Sequence, residues 1–156
     1  MSSLEKKKLD LEEIAKYFNQ SFAIQNFLKY QNTYDTLPII FLVTPTYARC
    51  TQLADLNRLR NTLLHVPKLV WILIEDSPKK TNIISKFLNE SKLPYVHLHE
   101  ETVVKPKPDK STWTKHKGTM QRNTAINWLR KSSYESGVVY FADDDNVYNL
   151  KLFEEV

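Results

Sequence analysis

The sequence predicts an α/β fold built on a mostly parallel sheet. Four short apolar segments alternate along the chain with segments whose apolar residues recur every three or four positions, which is the spacing of an amphipathic helix. Such alternation is typical of parallel strands joined by helical crossovers. The four apolar segments are also nearly continuous, as expected for strands buried on both faces. These observations indicate a Rossmann-like, mostly parallel sheet with helices on both faces.

The chain has 156 residues, of which 42% are hydrophobic, so it is large enough to bury the core of one domain. Its first 36 residues precede the alternation and are predicted to form a peripheral helical arm, because Leu11, Ile14, Phe18 and Phe22 recur at helical spacing. No apolar run approaches the ~20 residues that span a bilayer, and the N-terminus has no signal-peptide core. We therefore divide the chain into an arm, residues 1–36, and an α/β domain, residues 37–156.

Strands and helices follow one another regularly within the domain. Buried strands are predicted at residues 37–44, 68–74, 93–99 and 137–142, and helices within residues 48–66, 81–91 and 119–131. The side chains expected to face the core from the first two helices are Leu53, Leu56, Leu59, Leu63, Ile83, Ile84, Phe87 and Leu88. The segment 100–118 is rich in proline and lysine and is predicted to be a loop. Glu154 and Glu155 are expected to begin a further helix.

Polar side chains follow every predicted strand, in the stretches "TPTYAR" from Thr44, "EDS" from Glu75, "HLHEE" from His97 and "DDDN" from Asp143. Parallel strands present their carboxyl ends at one edge of the sheet, where α/β proteins bind ligands. Exposed strand ends are often polar for no further reason, which is the simpler interpretation of "EDS" alone. Three adjacent carboxylates are different, because they raise one another's pKa unless a cation compensates.

A divalent cation is the simplest compensation, and hard oxygen ligands favour magnesium, manganese or calcium over zinc. An EF-hand loop counted from Asp143 is rejected, because Val147 and Tyr148 stand where it needs an oxygen ligand and a glycine. An aspartyl nucleophile is a further alternative, but it would suit the first strand better than the fourth. Gly118 and Gly137 are the only glycines, which excludes glycine-rich phosphate loops. An Asp-x-Asp at a strand end also suits a nucleotide-sugar transferase, in which a cation neutralises the departing diphosphate.

Four stretches in this order and spacing, "TPTYAR", "WILIEDS", "GTMQRNTAINWLR" and "VVYFADDDNVYNLKLFEE", closely resemble the beta-1,3-glucuronyltransferase family over residues 38–156. The resemblance implies the donor-binding, N-terminal half of a glycosyltransferase A-type fold. It implies inverting, Mn²⁺-dependent transfer of glucuronic acid from UDP-glucuronic acid to a galactose-terminated glycan of the proteoglycan-linker type. It also implies a lumenal domain at the Golgi membrane and a possible homodimer.

The resemblance assigns the donor-binding residues of the first two strand ends. Pro45, Thr46 and Tyr47 match the family's first UDP-contacting turn, and Tyr47 would pack on the uracil ring. Asp76 matches the carboxylate that recognises the uracil edge, whereas the preceding Glu75 is expected to be structural.

The same resemblance assigns the remaining donor-binding residues. Lys117 and Arg122 match two arginines that hold the donor. Lys117 departs from the family pattern, and a lysine keeps the charge but loses the planar fork that binds phosphate or carboxylate in two places. Asp143 and Asp144 match positions that contact the sugar and the ribose, and Asp145 matches the manganese ligand.

The family's catalytic glutamate, acceptor site and a histidine near the diphosphate would lie beyond Val156. We therefore expect no catalytic base among these residues, weak donor binding without transfer, and an exposed sheet edge with apolar surface that favours aggregation. A short form acting only as a UDP- and manganese-binding module shares every motif and stays open. A nucleic-acid binder using the lysine-rich residues 105–117 is the weakest alternative, because a net charge of +4 is small and such loops are usually just solvated. No nucleic-acid partner is predicted.

Overall fold

The computed structural model describes residues 37–102, 118–132, 134 and 136–155. The predicted arm, residues 1–36, and the predicted donor contact Lys117 lie outside the described residues. In the described parts of the chain, no helix combines the length and the apolar character needed to cross a membrane.

Four strands and four helices alternate within the described residues. The strands are β1 (Ile40–Thr46), β2 (Leu69–Glu75), β3 (Tyr95–His99) and β4 (Val138–Phe141). The helices are α1 (Gln52–Leu63), α2 (Asn82–Glu90), α3 (Thr119–Lys131) and the single turn α4 (Lys151–Glu154). The strands form one sheet in the order β3-β2-β1-β4, and each neighbouring pair is parallel. The predicted α/β fold is thus confirmed.

The strand order creates a switch point between β1 and β4. From β1 the chain moves outward through β2 to β3, and it then returns to the opposite side of β1 to form β4. Connections that leave neighbouring strands in opposite directions open a crevice beyond the carboxyl ends of those strands. The Ala142 amide donates to the Val43 carbonyl at 3.0 Å, so the aspartate triplet begins directly beside the end of β1.

The sheet is covered on both faces, as predicted, because its side chains alternate between two apolar clusters. Leu42 and Trp71 belong to the cluster packed with α1 and α2, whereas Phe41 and Ile72 belong to the cluster packed with α3. Trp71 is fully buried, and its indole Nε1 donates to the Thr44 hydroxyl at 3.0 Å. The largest core side chain therefore leaves no polar atom unpaired.

The apolar stripe of α1 is narrower than predicted. Leu56, Leu59 and Leu63 are buried, but Leu53 is 39% exposed, so its assignment to the core was wrong. At about 100° per residue, the three buried leucines span about 60° of the helix, and Leu53 falls about 60° outside that arc. Gln52 falls inside it and is the buried residue at that end of the helix.

The core-facing assignment was also wrong for one residue of α2. Ile84 and Leu88 are fully buried and Phe87 packs against the core, but Ile83 is 55% exposed because it lies about 100° around the helix from Ile84. The short helix after the triplet begins at Lys151 and ends at Glu154, with Glu155 beyond it. The expectation that Glu154 and Glu155 begin this helix was therefore wrong.

β4 is the edge strand of the described sheet and pairs with β1 alone. Its side chains Val138, Val139 and Phe141 are 37%, 42% and 43% exposed, unlike those of β1 and β2. The two faces of the sheet are therefore less fully covered at β4 than at β1 and β2. The exposed edge and apolar surface expected from the sequence are found there.

Candidate functional site

A cleft of about 710 Å³ lies beyond the carboxyl ends of β1, β2 and β4. The predicted donor-binding residues that line it are Pro45, Thr46, Tyr47, Asp76, Arg122, Asp143, Asp144 and Asp145. Residues from four distant stretches of the sequence thus meet at the switch point of the sheet, as the strand-end argument predicted. Lys117 is the one predicted donor contact that cannot be placed, because it lies outside the described residues.

Thr46 joins β1 to the triplet through a buried polar chain. Its hydroxyl donates to Asp144 Oδ2 at 2.6 Å and accepts from Gln52 Nε2 at 3.0 Å. All three side chains are buried. A buried carboxylate is costly unless it is hydrogen-bonded. These linked hydrogen bonds therefore explain why α1 begins with a buried glutamine.

Arg49 supplies the cation that compensates Asp144. Its Nη1 donates to Asp144 Oδ2 and its Nη2 to Asp55 Oδ2, each at 2.8 Å. The hydrogen bond with Asp144 is the main reason that the pKa of the Arg49 guanidinium is raised. The guanidinium also lies 4.8 Å from the ring centroid of Tyr47, whose side chain is 44% exposed at the cleft.

Asp143 is compensated separately, by Arg122. Arg122 Nη2 donates to Asp143 Oδ1 at 2.5 Å, and the side chains are 27% and 49% exposed, respectively. Two of the three adjacent carboxylates are therefore paired with different arginines, so their mutual repulsion does not by itself require a metal ion.

Asp145 differs from its two neighbours. It is exposed, and among the described residues no donor contacts its carboxylate, although its main-chain carbonyl accepts from Arg58 Nη2 at 2.9 Å. Asp145 is thus the member of the triplet whose carboxylate is available to a ligand that enters the cleft.

Asp76 is held in place by Thr102. One carboxylate oxygen accepts from the Thr102 amide and the other from the Thr102 hydroxyl, each at 2.7 Å. Gln121 Nε2 in turn donates to the Thr102 hydroxyl at 3.1 Å and to the Glu100 carbonyl at 2.7 Å. Each Asp76 oxygen retains acceptor capacity, so the carboxylate can still receive a donor from a ligand.

Glu75 behaves as the structural residue that the sequence indicated. Its carboxylate accepts from the amide and the hydroxyl of Thr81, at 2.9 and 2.7 Å, where α2 begins. It also contacts His97 Nε2 at 2.5 Å. Burial is the main reason that the pKa of His97 is lowered, which favours the neutral ring as a donor to this carboxylate. Glu75 therefore fastens α2 and β3 to β2.

The cleft carries an excess of negative charge. Five carboxylates and one guanidinium are found among its described lining residues, namely Asp76, Glu101, Asp143, Asp144, Asp145 and Arg122. Among the described residues, no three histidine, cysteine, aspartate or glutamate side chains converge closely enough to hold a metal ion. An anionic ligand would be repelled unless a cation accompanied it, and that cation would need further ligands from the anion and from water.

Comparison with known proteins agrees with the geometry. Residues 59–156 match the model of glycosyltransferase family 43. The chain belongs to this family. It is 51% identical over 128 residues to the human galactosylgalactosylxylosylprotein 3-beta-glucuronosyltransferase 1. The aligned region covers 78% of this chain and 38% of the human protein.

Two further relatives match similar shares of this family 43 chain. The Caenorhabditis elegans galactosylgalactosylxylosylprotein 3-beta-glucuronosyltransferase sqv-8 is 46% identical over 123 residues, which cover 76% of this chain and 35% of that protein. The mouse galactosylgalactosylxylosylprotein 3-beta-glucuronosyltransferase 2 is 44% identical over 124 residues, with coverages of 77% and 37%. The chain thus spans well under half the length of these relatives.

Sequence reasoning missed several residues that shape the site of this family 43 chain. Arg49 ends the quoted stretch "TPTYAR", so a signal for it was present, but its partner Asp144 lies 95 positions away. Gln121 likewise lies in the quoted stretch "GTMQRNTAINWLR", whereas Thr102 and Arg58 carry no local signal. Each acts through a hydrogen bond to a residue that is distant in sequence.

Proposed function

We propose that this chain forms the donor-binding half of an inverting beta-1,3-glucuronosyltransferase. It would bind UDP-glucuronic acid together with Mn²⁺, and the glucuronic acid would be transferred to a galactose-terminated glycan. Membership of family 43 and the names of the relatives support the class of reaction. The observation that carries the proposal is that Tyr47, Asp76, Arg122 and Asp145 line one cleft at the switch point of the sheet.

The uracil would lie between the ends of β1 and β2. Tyr47 offers a partly exposed ring for stacking, and Asp76 offers a carboxylate that can accept the imide hydrogen of uracil. Thr102 holds both oxygens of Asp76, so the carboxylate is oriented before the ligand arrives. Such orientation in advance lowers the entropy lost on binding.

The residues present fit a manganese ion that is bound jointly with a diphosphate. Asp145 supplies a hard oxygen ligand that no described donor occupies, and ions of this kind commonly use one or two carboxylates plus substrate phosphates and water. When bound, the ion would neutralise the charge that develops on the departing diphosphate. Arg122, which is paired with Asp143 and lines the same cleft, would donate to a phosphate oxygen.

The remaining parts of the proposal rest on the family resemblance alone. They are the galactose-terminated acceptor, a base that removes the proton from the acceptor hydroxyl, a lumenal location at the Golgi membrane and a homodimer. No described residue of the cleft is assigned as the base.

Calorimetric titration of this chain with UDP, in manganese and in chelator, tests the proposal. We expect UDP to bind at least about tenfold more tightly in manganese, because the lining is rich in carboxylates. Manganese alone should bind weakly, since no described triad of ligands is present. Equal UDP affinity in manganese and in chelator would contradict the metal assignment, and no UDP binding in either would contradict the donor site.

A transfer assay tests whether this chain can transfer glucuronic acid by itself. Radiolabelled UDP-glucuronic acid is incubated with this chain and a galactosyl-galactose acceptor. Labelled product above a no-enzyme blank would establish transfer. Manganese-dependent UDP binding without product is the expected result, since no described residue of the cleft is assigned as the base.

The Gly118→Ala substitution is expected to weaken UDP binding several-fold. Gly118 has φ 80°, and an added Cβ would lie 2.6 Å from Arg122 Nη1 and 3.0 Å from Pro45 Cγ. The methyl group would displace the Arg122 guanidinium, and the left-handed backbone would cost about 1–2 kcal/mol of stability. Calorimetry and thermal unfolding measure the two effects.

Gly137→Ala is the matched control for that substitution. Its Cβ would meet the Phe41 ring at 2.5 Å, on the face of the sheet packed with α3. It should therefore lower the thermal midpoint and leave the UDP affinity of the folded protein unchanged. Unaltered UDP binding in Gly118→Ala would show that Arg122 does not contact the donor.

A further inference from the structure

Asp55 of α1 is not among the described residues that line the cleft, and it binds two arginines at once. Its Oδ2 accepts from Arg49 Nη2 at 2.8 Å, and its Oδ1 accepts from Arg58 Nη2 at 3.0 Å. The Asp55 side chain is only 13% exposed, whereas that of Arg58 is 46% exposed. Both carboxylate oxygens are therefore engaged by guanidinium groups, which fixes the two arginines relative to the helix.

Each of the two arginines also donates a hydrogen bond to a different residue of the triplet. Arg49 donates to the side chain of Asp144, and Arg58 donates to the main-chain carbonyl of Asp145 at 2.9 Å. Two consecutive residues of the triplet are thus tied to one carboxylate on α1, the first through its side chain and the second through its backbone. The Asp145 carboxylate itself takes no part in these contacts.

We propose that Arg58 is a positioning residue for the divalent cation. By holding the Asp145 carbonyl against α1, it fixes the backbone from which the Asp145 carboxylate projects into the cleft. This inference rests on the proposed function, because it assumes that Asp145 is the metal ligand. Residues that orient a ligand typically change metal affinity by about 10- to 100-fold when they are removed.

The direction in which manganese affinity changes when Arg58 is removed distinguishes a positioning role from a purely electrostatic one. Arg58 carries a positive charge close to Asp145, and a cation near a metal site disfavours metal binding by repulsion. If Arg58 acted through its charge alone, its removal would strengthen manganese binding. If Arg58 positions Asp145, its removal weakens manganese binding even though a repelling charge has been taken away.

The test uses the Arg58→Met variant of the whole chain, with Arg130→Met as the control. Arg130 is an exposed arginine in the last turn of α3, so its substitution removes the same charge far from the triplet. Manganese affinity is measured with UDP present, from the electron paramagnetic resonance signal of the free ion. We expect at least about tenfold weaker manganese binding in Arg58→Met and no change in Arg130→Met. UDP affinity in chelator should be unchanged in both variants.

Amide hydrogen exchange supplies a readout that requires neither metal nor UDP. The Asp143 amide donates to the Tyr148 hydroxyl at 2.7 Å within the triplet segment, and the Ala142 amide donates to β1. In Arg58→Met we expect faster exchange at Asp143 and unchanged protection at Ala142. Faster exchange at both amides, with a lower thermal midpoint, would indicate a general loss of stability and overturn the inference.

The outcomes separate the inference from the proposed function. If the unsubstituted chain shows no manganese-dependent UDP binding, both fail together. If it does, but Arg58→Met binds manganese equally well or more tightly, the positioning role is wrong and the proposed function stands. Weaker manganese binding with faster exchange confined to the triplet supports both.

Discussion

The Asp145→Asn variant is expected to bind UDP with the same affinity in manganese and in chelator. Asparagine has nearly the same shape, and the Asp145 contact with Arg58 uses the main chain, so the fold should be retained. What is lost is the anionic oxygen that would bind the ion. Removing a residue that merely orients a ligand lowers metal affinity by about 10- to 100-fold. Loss of the ligand itself should therefore lower the affinity for manganese by at least about a hundredfold.

Calorimetric titration with UDP measures this effect, and Glu101→Gln is the matched control. Glu101 is also an exposed carboxylate of the cleft lining, so its substitution removes the same charge from the same cavity. We expect Glu101→Gln to retain the response to manganese. A manganese response in Asp145→Asn equal to that of the unsubstituted chain would show that the ion is bound elsewhere.

The second large effect concerns the discrimination between uracil and cytosine nucleotides. Asp76→Ala should abolish the preference for UDP over CDP, because a carboxylate accepts the imide hydrogen of uracil, which cytosine lacks. Sites built to hydrogen-bond one partner commonly reject an analogue that lacks the group by several orders of magnitude, so we expect a preference of about a hundredfold or more to disappear.

Competition titrations with the two nucleotides measure the preference. Thr102→Val gives an intermediate case, because it removes the hydroxyl that holds one Asp76 oxygen and keeps the main-chain amide that holds the other. We expect a reduced but measurable preference for UDP in that variant. If the full preference persists in Asp76→Ala, the uracil is recognised by other residues.

The strand ends could be predicted from the sequence because near-continuous apolar segments alternate with segments of helical spacing. Near-continuous apolar runs located the four strands, and a parallel sheet brings their carboxyl ends to one edge. The cleft lining followed from that geometry, together with the resemblance that selected residues such as Tyr47 and Asp76. Leu53 and Ile83 were misassigned because a count of apolar spacing ignores the angular width of the buried stripe.

The ion pairs could not be predicted from the sequence. Asp144 meets Arg49 across 95 positions, and Asp143 meets Arg122 across 21. Periodicity contains no information on which charges pair at such separations. The sequence argument treated the triplet as one cluster that needs one cation, whereas the fold gives two of its members separate guanidinium partners and leaves the third for a ligand.

The position of β4 beside β1 also bears on the order in which the molecule assembles. β1 and β2 pair across a short helical connection, with Ile40 opposite Leu69, whereas Ile40 meets Val138 on β4. Closing the longer loop costs about 1 kcal/mol more in entropy. Because the side chains of β4 stay largely exposed, their burial offsets little of this cost. We therefore expect β1, β2 and β3 to form the folding nucleus and β4 to join late. Native-state exchange should show β4 amides opening at a lower free energy than those of β2, so that the aspartate triplet is the last part of the cleft to form and the first to be lost.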